Sequence, residues 1–244
     1  MWRQIIIVAA LLGIGVIAAA VVQKNSAPVY KTPRAAQPTV ISPIEALNAC
    51  IQERFHSITG VGMSRMPVSP LHMRNFRPET KAEKAAVAEL QKSGWIVGMY
   101  LGGRRLLKPK ISEAQWRKTS RHHFRRAISA PLLITQNASV SKLPPSWELW
   151  DDGQKALVTS ASSDKHTSSR GAWRVDARPV RADKESCLKC HAGQSAVHPA
   201  ALNAKAARPM RVGDAVGVVI YVYRRATPAD AQPARQTTIQ TSRR

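Results

Sequence analysis

The spacing of apolar residues changes along the chain. From Ile5 to Val22 eighteen consecutive positions are apolar or glycine, preceded by Met1-Trp2-Arg3-Gln4 and followed by Gln23-Lys24-Asn25. A basic start and an unbroken apolar run fit an export segment. It is either a cleaved signal peptide, with Ala18-Ala19-Ala20 as the small-residue site, or an uncleaved anchor just long enough to span a bilayer. Arg3 holds the short N-terminus inside and the long segment behind it is translocated whatever its charge. Both readings therefore place the rest of the chain on the periplasmic side of a bacterial inner membrane.

Residues 23–41 are Pro, Ala, Thr and Lys without periodicity and read as a linker. Ser42-Pro43-Ile44-Glu45 then offers an N-cap serine, a proline at the first helical position and a glutamate three residues on. Ile44, Leu47, Ile51, Phe55 and Ile58 follow at spacings of three and four, one apolar stripe with Cys50 on its flank. A second helix is expected over residues 79–93, stopped by Gly94. Trp95 to Leu101, Gly102-Gly103 and Arg104 to Leu107 read as two strands around a two-residue hairpin turn. A further helix is expected from Ser112 toward Arg126. Strands are expected over 132–135, 172–180 and 215–223, with polar loops over 137–146 and 160–171. Residues 226–244 lack any apolar period and read as a disordered basic tail. Helices in front and strands behind them indicate one α+β domain over residues 42–225, built on a mainly antiparallel sheet.

Composition sharpens this picture in two ways. The chain carries 37 Lys and Arg against 15 Asp and Glu, a formal charge of +22, with nine of the basic residues between Arg104 and Arg126 facing only Glu113. Such a surface suits an acidic redox or signalling protein or anionic lipid headgroups. Nucleic acid is disfavoured: the basic stretch holds just Trp116 and Phe124 for stacking, carries no binding motif, and belongs to an exported domain. A solvated surface with no partner also accounts for the charge. The three cysteines are an odd number, so a closed disulfide framework leaves one over.

Two of those cysteines stand in Cys187-Leu188-Lys189-Cys190-His191, the spacing of c-type haem attachment. Two thiols two residues apart can add to the two vinyl groups on one porphyrin edge, and the adjoining histidine then lies under the iron as proximal ligand. In this composition the motif arises by chance about once in a thousand chains. A disulfide or redox pair explains the cysteines without needing His191, and a zinc site needs further ligands. Covalent haem attachment is made outside the bacterial cytoplasm, which agrees with the export segment.

The iron's sixth position has many candidates: Cys50, the histidines His56, His72, His122, His123, His166 and His198, and the methionines Met63, Met66, Met73, Met99 and Met210. Met210 follows Pro209 nineteen residues past His191, and His198 is close enough to need a tight loop. Cys50 differs in kind, being far from the motif on an amphipathic helix. As a bystander, it would be a small buried hydrophobe.

Ala49-Cys50, Arg74-Asn75-Phe76-Arg77-Pro78-Glu79, Arg178-Pro179-Val180-Arg181-Ala182 leading into the motif, and Val212-Gly213-Asp214-Ala215-Val216-Gly217 together span most of the domain. In this arrangement the chain resembles the PAS-like c-type-haem family, extracytoplasmic bacterial domains proposed as haem-based redox or gas sensors. Ser64-Arg65-Met66 and Lys81-Ala82-Glu83 stand where that family usually has Arg-Thr-Ser and Trp-Glu. The resemblance implies a PAS-like fold, one covalent haem c held by Cys187, Cys190 and His191, and Cys50 as distal ligand. A monohaem electron-transfer cytochrome is the alternative function. Cysteine ligation goes with a low potential, whereas a Met/His pair raises it and suits an electron carrier. No local motif demands a peroxidase-like open site, so the reading favours a binding protein over an enzyme.

Overall fold

The computed structural model describes residues 43–58, 62–69, 74–120, 127–136, 138–189, 195–196 and 208–230. The chain divides into two units, Met1–Val40 and Ile41–Arg244, and every described residue belongs to the second. Its elements are α1 (Pro43–Ser57), α2 (Lys81–Lys92), β1 (Trp95–Gly103), α3 (Glu113–Ser120), β2 (Leu132–Leu133), α4 (Trp150–Val158), β3 (His166–Arg170), β4 (Trp173–Arg181), α5 (Glu185–Lys189), β5 (Ser195–Ala196), β6 (Arg208–Pro209) and β7 (Ala215–Arg225). The expected α+β class is the observed one. A five-stranded sheet in the order β2-β1-β7-β4-β3 is antiparallel throughout, and β5 pairs with β6 separately.

Both sheet faces are covered, which explains why β7 is apolar at nearly every position rather than at every second one. On one face Val97, Met99, Leu101, Val219 and Tyr221 pack against Leu47, Ile51 and Phe55 of α1 and Ala86, Val87 and Leu90 of α2. On the other, Ile96, Tyr100, Val218, Ile220 and Val222 meet Leu106, Leu149, Trp150, Ala156 and Leu157. Leu47 and Ile51 are fully buried, each stabilising the α1 contact by about 1.5–3 kcal/mol. Ile58, placed on the same stripe by spacing, is exposed because α1 has ended at Ser57.

α2 begins at Lys81, two residues later than its composition suggests, because Thr80 is the N-cap. The Thr80 hydroxyl accepts from the Glu83 amide, and the Glu83 carboxylate accepts from the amides of Thr80 and Glu79. Gly94 stops it with φ +67°. Ser112 and Gln115 cap α3 reciprocally; α3 is described as far as Ser120, and residues 121–126 of the expected longer helix lie outside the described residues.

Several expectations are corrected. Gly102-Gly103 is no hairpin turn: β1 runs through to Gly103, pairing Gly102 with Val218 and Gly103 with Gly217 of β7, and Arg104–Leu107 is a 3-10 turn. A Cβ on Gly102 would lie 2.5 Å from Leu106 and 2.6 Å from Val218, so that glycine serves close packing. Within the expected polar loop 160–171, His166-Thr167-Ser168-Ser169-Arg170 is the edge strand β3, a polar sequence tolerated where one side has no partner strand. α4 is a helix that no expectation covers; its Gly153 packs closely, since a Cβ there would lie 2.7 Å from Leu106. The assigned tail starts too early as well. Residues 227–230 fold back, and buried Asp230 accepts from both Arg224 guanidinium nitrogens at 2.7 Å and from Lys142 at 3.2 Å.

No described helix is long and apolar enough to cross a membrane. The run 5–22 lies outside the described residues.

Candidate functional site

The motif cysteine Cys187 is placed by a chain of contacts that starts on α1. Glu45, in the first turn, pairs with Arg178 of β4; Gln52 Nε2 donates to the Pro179 carbonyl at 3.3 Å; and at the helix end Lys184 Nζ donates to the His56 carbonyl at 2.8 Å. α1 is therefore tied to β4 at two points and by its C-terminus to the segment that enters the motif. An ammonium on a last-turn carbonyl is favoured by the helix dipole as well as by the hydrogen bond.

β4 is released from the sheet at a bulge between Val180 and Arg181. Buried Ala182 then ties the strand end to the next hairpin, its amide donating to the Asp214 carbonyl at 2.9 Å and its carbonyl accepting from Gly213 at 2.8 Å. Gly213 has φ +93°, a left-handed conformation that suits glycine. The Asp214 carboxylate closes that turn by accepting from the Arg211 amide and both Arg208 guanidinium nitrogens, each at 2.7 Å. The guanidinium of Arg208 holds the Asp214 carboxyl below its ordinary range. Thus the Gly-Asp segment singled out in the sequence builds a turn that anchors the strand feeding the motif.

Asp183, Lys184 and the single-turn helix α5 follow. Cys187 is half-buried with a free thiol, which donates to Asp183 Oδ1 at 3.1 Å. The other carboxylate oxygen of Asp183 lies 3.9 Å from His56 Nδ1. That thiol, together with the nearby His56 and Lys184, lowers the Asp183 carboxyl below its ordinary range. Among the described residues Nε2 of His56 is buried without a hydrogen-bond partner, as is Nε2 of His166. One carboxylate therefore bridges the motif's first cysteine and the last turn of α1. Cys190 and His191 lie outside the described residues.

Cys50 also carries a free, half-buried thiol on α1. Burial, then the nearby Glu83 carboxylate, pushes this thiol above its ordinary value. Met66 and Met99 are buried in the core beneath α1 and α2. Met210 is half-buried just past β6. His166 sits on β3 with Nε2 3.5 Å from Asp152 of α4 without a hydrogen bond to it; the Asp152 carboxylate accepts from Ser168 and Arg170. His72, His122, His123, His198 and Met73 lie outside the described residues, as does the Met63 side chain.

Sequence reasoning ranked His56 with the other histidines and passed over Asp183 and Lys184. No local pattern could single them out, since His56 and Lys184 are 128 positions apart and meet only because α1 and β4 lie side by side. Among the described residues no three His, Cys, Asp or Glu side chains are grouped to hold a bare metal ion. A haem makes a smaller demand, because its porphyrin brings four of the iron's six donors and the protein supplies only attachment points and axial groups. The half-buried free thiol of Cys187, standing in C-x-x-C-H, fits the demand for an attachment point. No protein-family model, curated protein or solved structure matches the chain.

Proposed function

We propose that this chain is an exported c-type haem protein whose PAS-like domain holds one haem through Cys187, Cys190 and His191 and works in redox or gas sensing. The observation that carries the reading is the placement of Cys187. It is a free thiol on a short helix that follows β4, within C-x-x-C-H, and Asp183 and Lys184 beside it meet the end of α1. Each cysteine would add its S–H across one vinyl, forming one C–S and one C–H bond with no net oxidation. His191 would hold the iron, together with Cys50 as the ligand that the resemblance implies. Bound haem supplies a one-electron ferric/ferrous couple tuned by its axial ligands and their hydrogen bonds. Residues 5–22 would export the domain and, uncleaved, hold it at the inner membrane. The partner would be a redox or signalling protein, with the basic surface available to an acidic one.

The test is expression of the full chain with haem-maturation machinery, followed by denaturing electrophoresis with haem staining and a pyridine haemochrome spectrum. Covalent haem with both vinyls saturated is expected, and Cys187→Ala should leave one vinyl intact. A wild-type chain that emerges from competent cells without covalent haem overturns the proposal.

A further inference from the structure

We infer that residues 104–118, together with the adjoining side of α4, form a docking face for an acidic protein surface. The inference deepens the partner proposed above and rests on that reading only for the partner's redox or signalling role.

The first observation is local charge. Residues 104–118 carry six Lys or Arg, at positions 104, 105, 108, 110, 117 and 118, against Glu113 alone, a net of +5. Residues 79–93, which hold α2 and its cap, carry three lysines and three glutamates, a net of zero. The positive excess of the chain is therefore uneven over its surface.

The second is that the fold gathers these cations in one place, with α4 as the spine. Trp150 meets Trp116 of α3 edge-on, ring centroids 6.2 Å apart. Asp151 pairs with Lys110 at 2.7 Å. Gln154 Nε2 donates to the carbonyls of Leu106 and Lys108 at 2.7 and 3.2 Å. One stretch of helix thus fixes the 3-10 turn, the segment after it and α3. Leu106 and Trp116 point into the core, while Arg105, Lys108, Arg117 and Lys118 are exposed. Arg104 is the exception, turned to donate to the Ala215 carbonyl at 3.0 Å. Lys155 is exposed as well, four residues from Asp151 and so on the same side of α4. With Lys110, six cations of these segments stand beside two carboxylates, Glu113 and Asp151.

The third is what the face lacks. A helix that lies on a bilayer inserts apolar side chains alongside its cations. Among the described residues the exposed large apolar side chains are Ile58 and Val212, which belong to neither segment. Single-stranded nucleic acid is held by stacking on exposed rings, and Trp116, the one aromatic residue in 104–118, is buried against Trp150. Lysines and arginines held in place without inserting or stacking groups suit the carboxylates of a protein, which they attract from a distance and hold in a solvated, salt-sensitive contact.

The experiment uses the full chain in nanodiscs of neutral phosphatidylcholine, with poly-L-glutamate as the acidic probe and lysine acetylation mapped by peptide mass spectrometry. The probe should protect Lys108, Lys118 and Lys155 several-fold more than Lys81, Lys84 and Lys92 of α2, and high salt should abolish the difference. Equal protection of the two sets overturns the inference. Lys108→Gln, Lys118→Gln and Lys155→Gln combined should weaken binding of the probe about tenfold, whereas Lys81→Gln, Lys84→Gln and Lys92→Gln combined should leave it within about twofold; equal losses, or the reverse order, overturn it. Stronger protection of the same lysines by phosphatidylglycerol discs, or by single-stranded DNA at equal charge, overturns the choice of a protein partner. Haem content is read on the same samples: a wild-type chain without covalent haem overturns the function proposed above, while the lysine pattern still decides the docking face.

Discussion

Arg178 of β4 and Glu45 of α1 form a two-pronged ion pair, Nη1 to Oε2 at 2.5 Å and Nη2 to Oε1 at 2.7 Å, and so fix how α1 lies along the strand that leads to Cys187. Nη2 also donates to Asp176 at 2.7 Å. The Arg178 hydrogen bond holds the Glu45 carboxyl down, from 4.5 to about 2. A depressed carboxyl stabilises the fold above its unfolded pKa, and that stability fades as pH falls from about 4.5 toward 2. Glu45 is 38% exposed, so solvent screens the pair. Glu45→Gln should therefore cost about 1 kcal/mol at neutral pH and flatten the acid limb of the stability curve, read by urea unfolding across that window. Arg178→Ala should cost more, about 3–5 kcal/mol, because it leaves the buried carboxylate of Asp176 uncompensated.

Glu83 joins α1 to α2 from a fully buried position. Its carboxylate accepts from Arg54 Nε and Nη2 while also capping α2 through the amides of Thr80 and Glu79. Burial alone would raise this carboxyl; hydrogen bonds from Arg54, Thr80 and Glu79 lower it instead. Glu83→Ala should cost about 3–5 kcal/mol, since it leaves the buried Arg54 guanidinium only the more exposed Glu79 carboxylate, at 3.0 Å, and uncaps the helix. Glu83→Gln keeps a capping oxygen and should lose less, about 1–3 kcal/mol. Equal losses in thermal unfolding would show that the charge, rather than the cap, carries the whole effect.

Gly102 and Gly103 should respond oppositely to alanine. The Cβ of Gly102→Ala would press on Leu106 and Val218 at 2.5 and 2.6 Å, an overpacking expected to cost about 1–3 kcal/mol. At Gly103 nothing lies within 4 Å of an added Cβ and φ is −100°, so alanine should be neutral or slightly stabilising. Thermal denaturation of the two variants decides between this strand and the hairpin turn that the Gly-Gly pair suggests.

That pair illustrates how far local pattern reaches. The α1 stripe of Ile44, Leu47, Ile51 and Phe55 and the Val/Ile/Tyr run of β7 were legible because each repeats the period of its own element. β3 was illegible because His166 to Arg170 has no apolar partner to alternate with. In the candidate site, C-x-x-C-H is a covalent spacing and can be read directly. His56, Asp183 and Lys184 come together only through the packing of α1 on β4, a relation that no window of sequence contains.

The Cys50 thiol offers a test of the α1–α2 packing in the haem-free chain. It is half-buried, and burial followed by the Glu83 carboxylate pushes its titration above the ordinary value of 9.0, against the weaker pull of Arg54. The thiolate is the reacting form, so alkylation follows its fraction. An ordinary thiol stops gaining rate once pH passes about its own pKa; Cys50 should still be gaining above pH 9, and at neutral pH it should react several-fold more slowly than a free cysteine peptide. Peptide mapping after iodoacetamide treatment separates Cys50 from Cys187 and gives its own rate at each pH. Weakening the neighbouring charge with Glu83→Gln should move the Cys50 midpoint downward as long as the variant stays folded. A Cys50 rate that levels off below pH 9 in the wild type would mean that its thiol is solvated like a surface cysteine, and that α1 and α2 do not close over it as described.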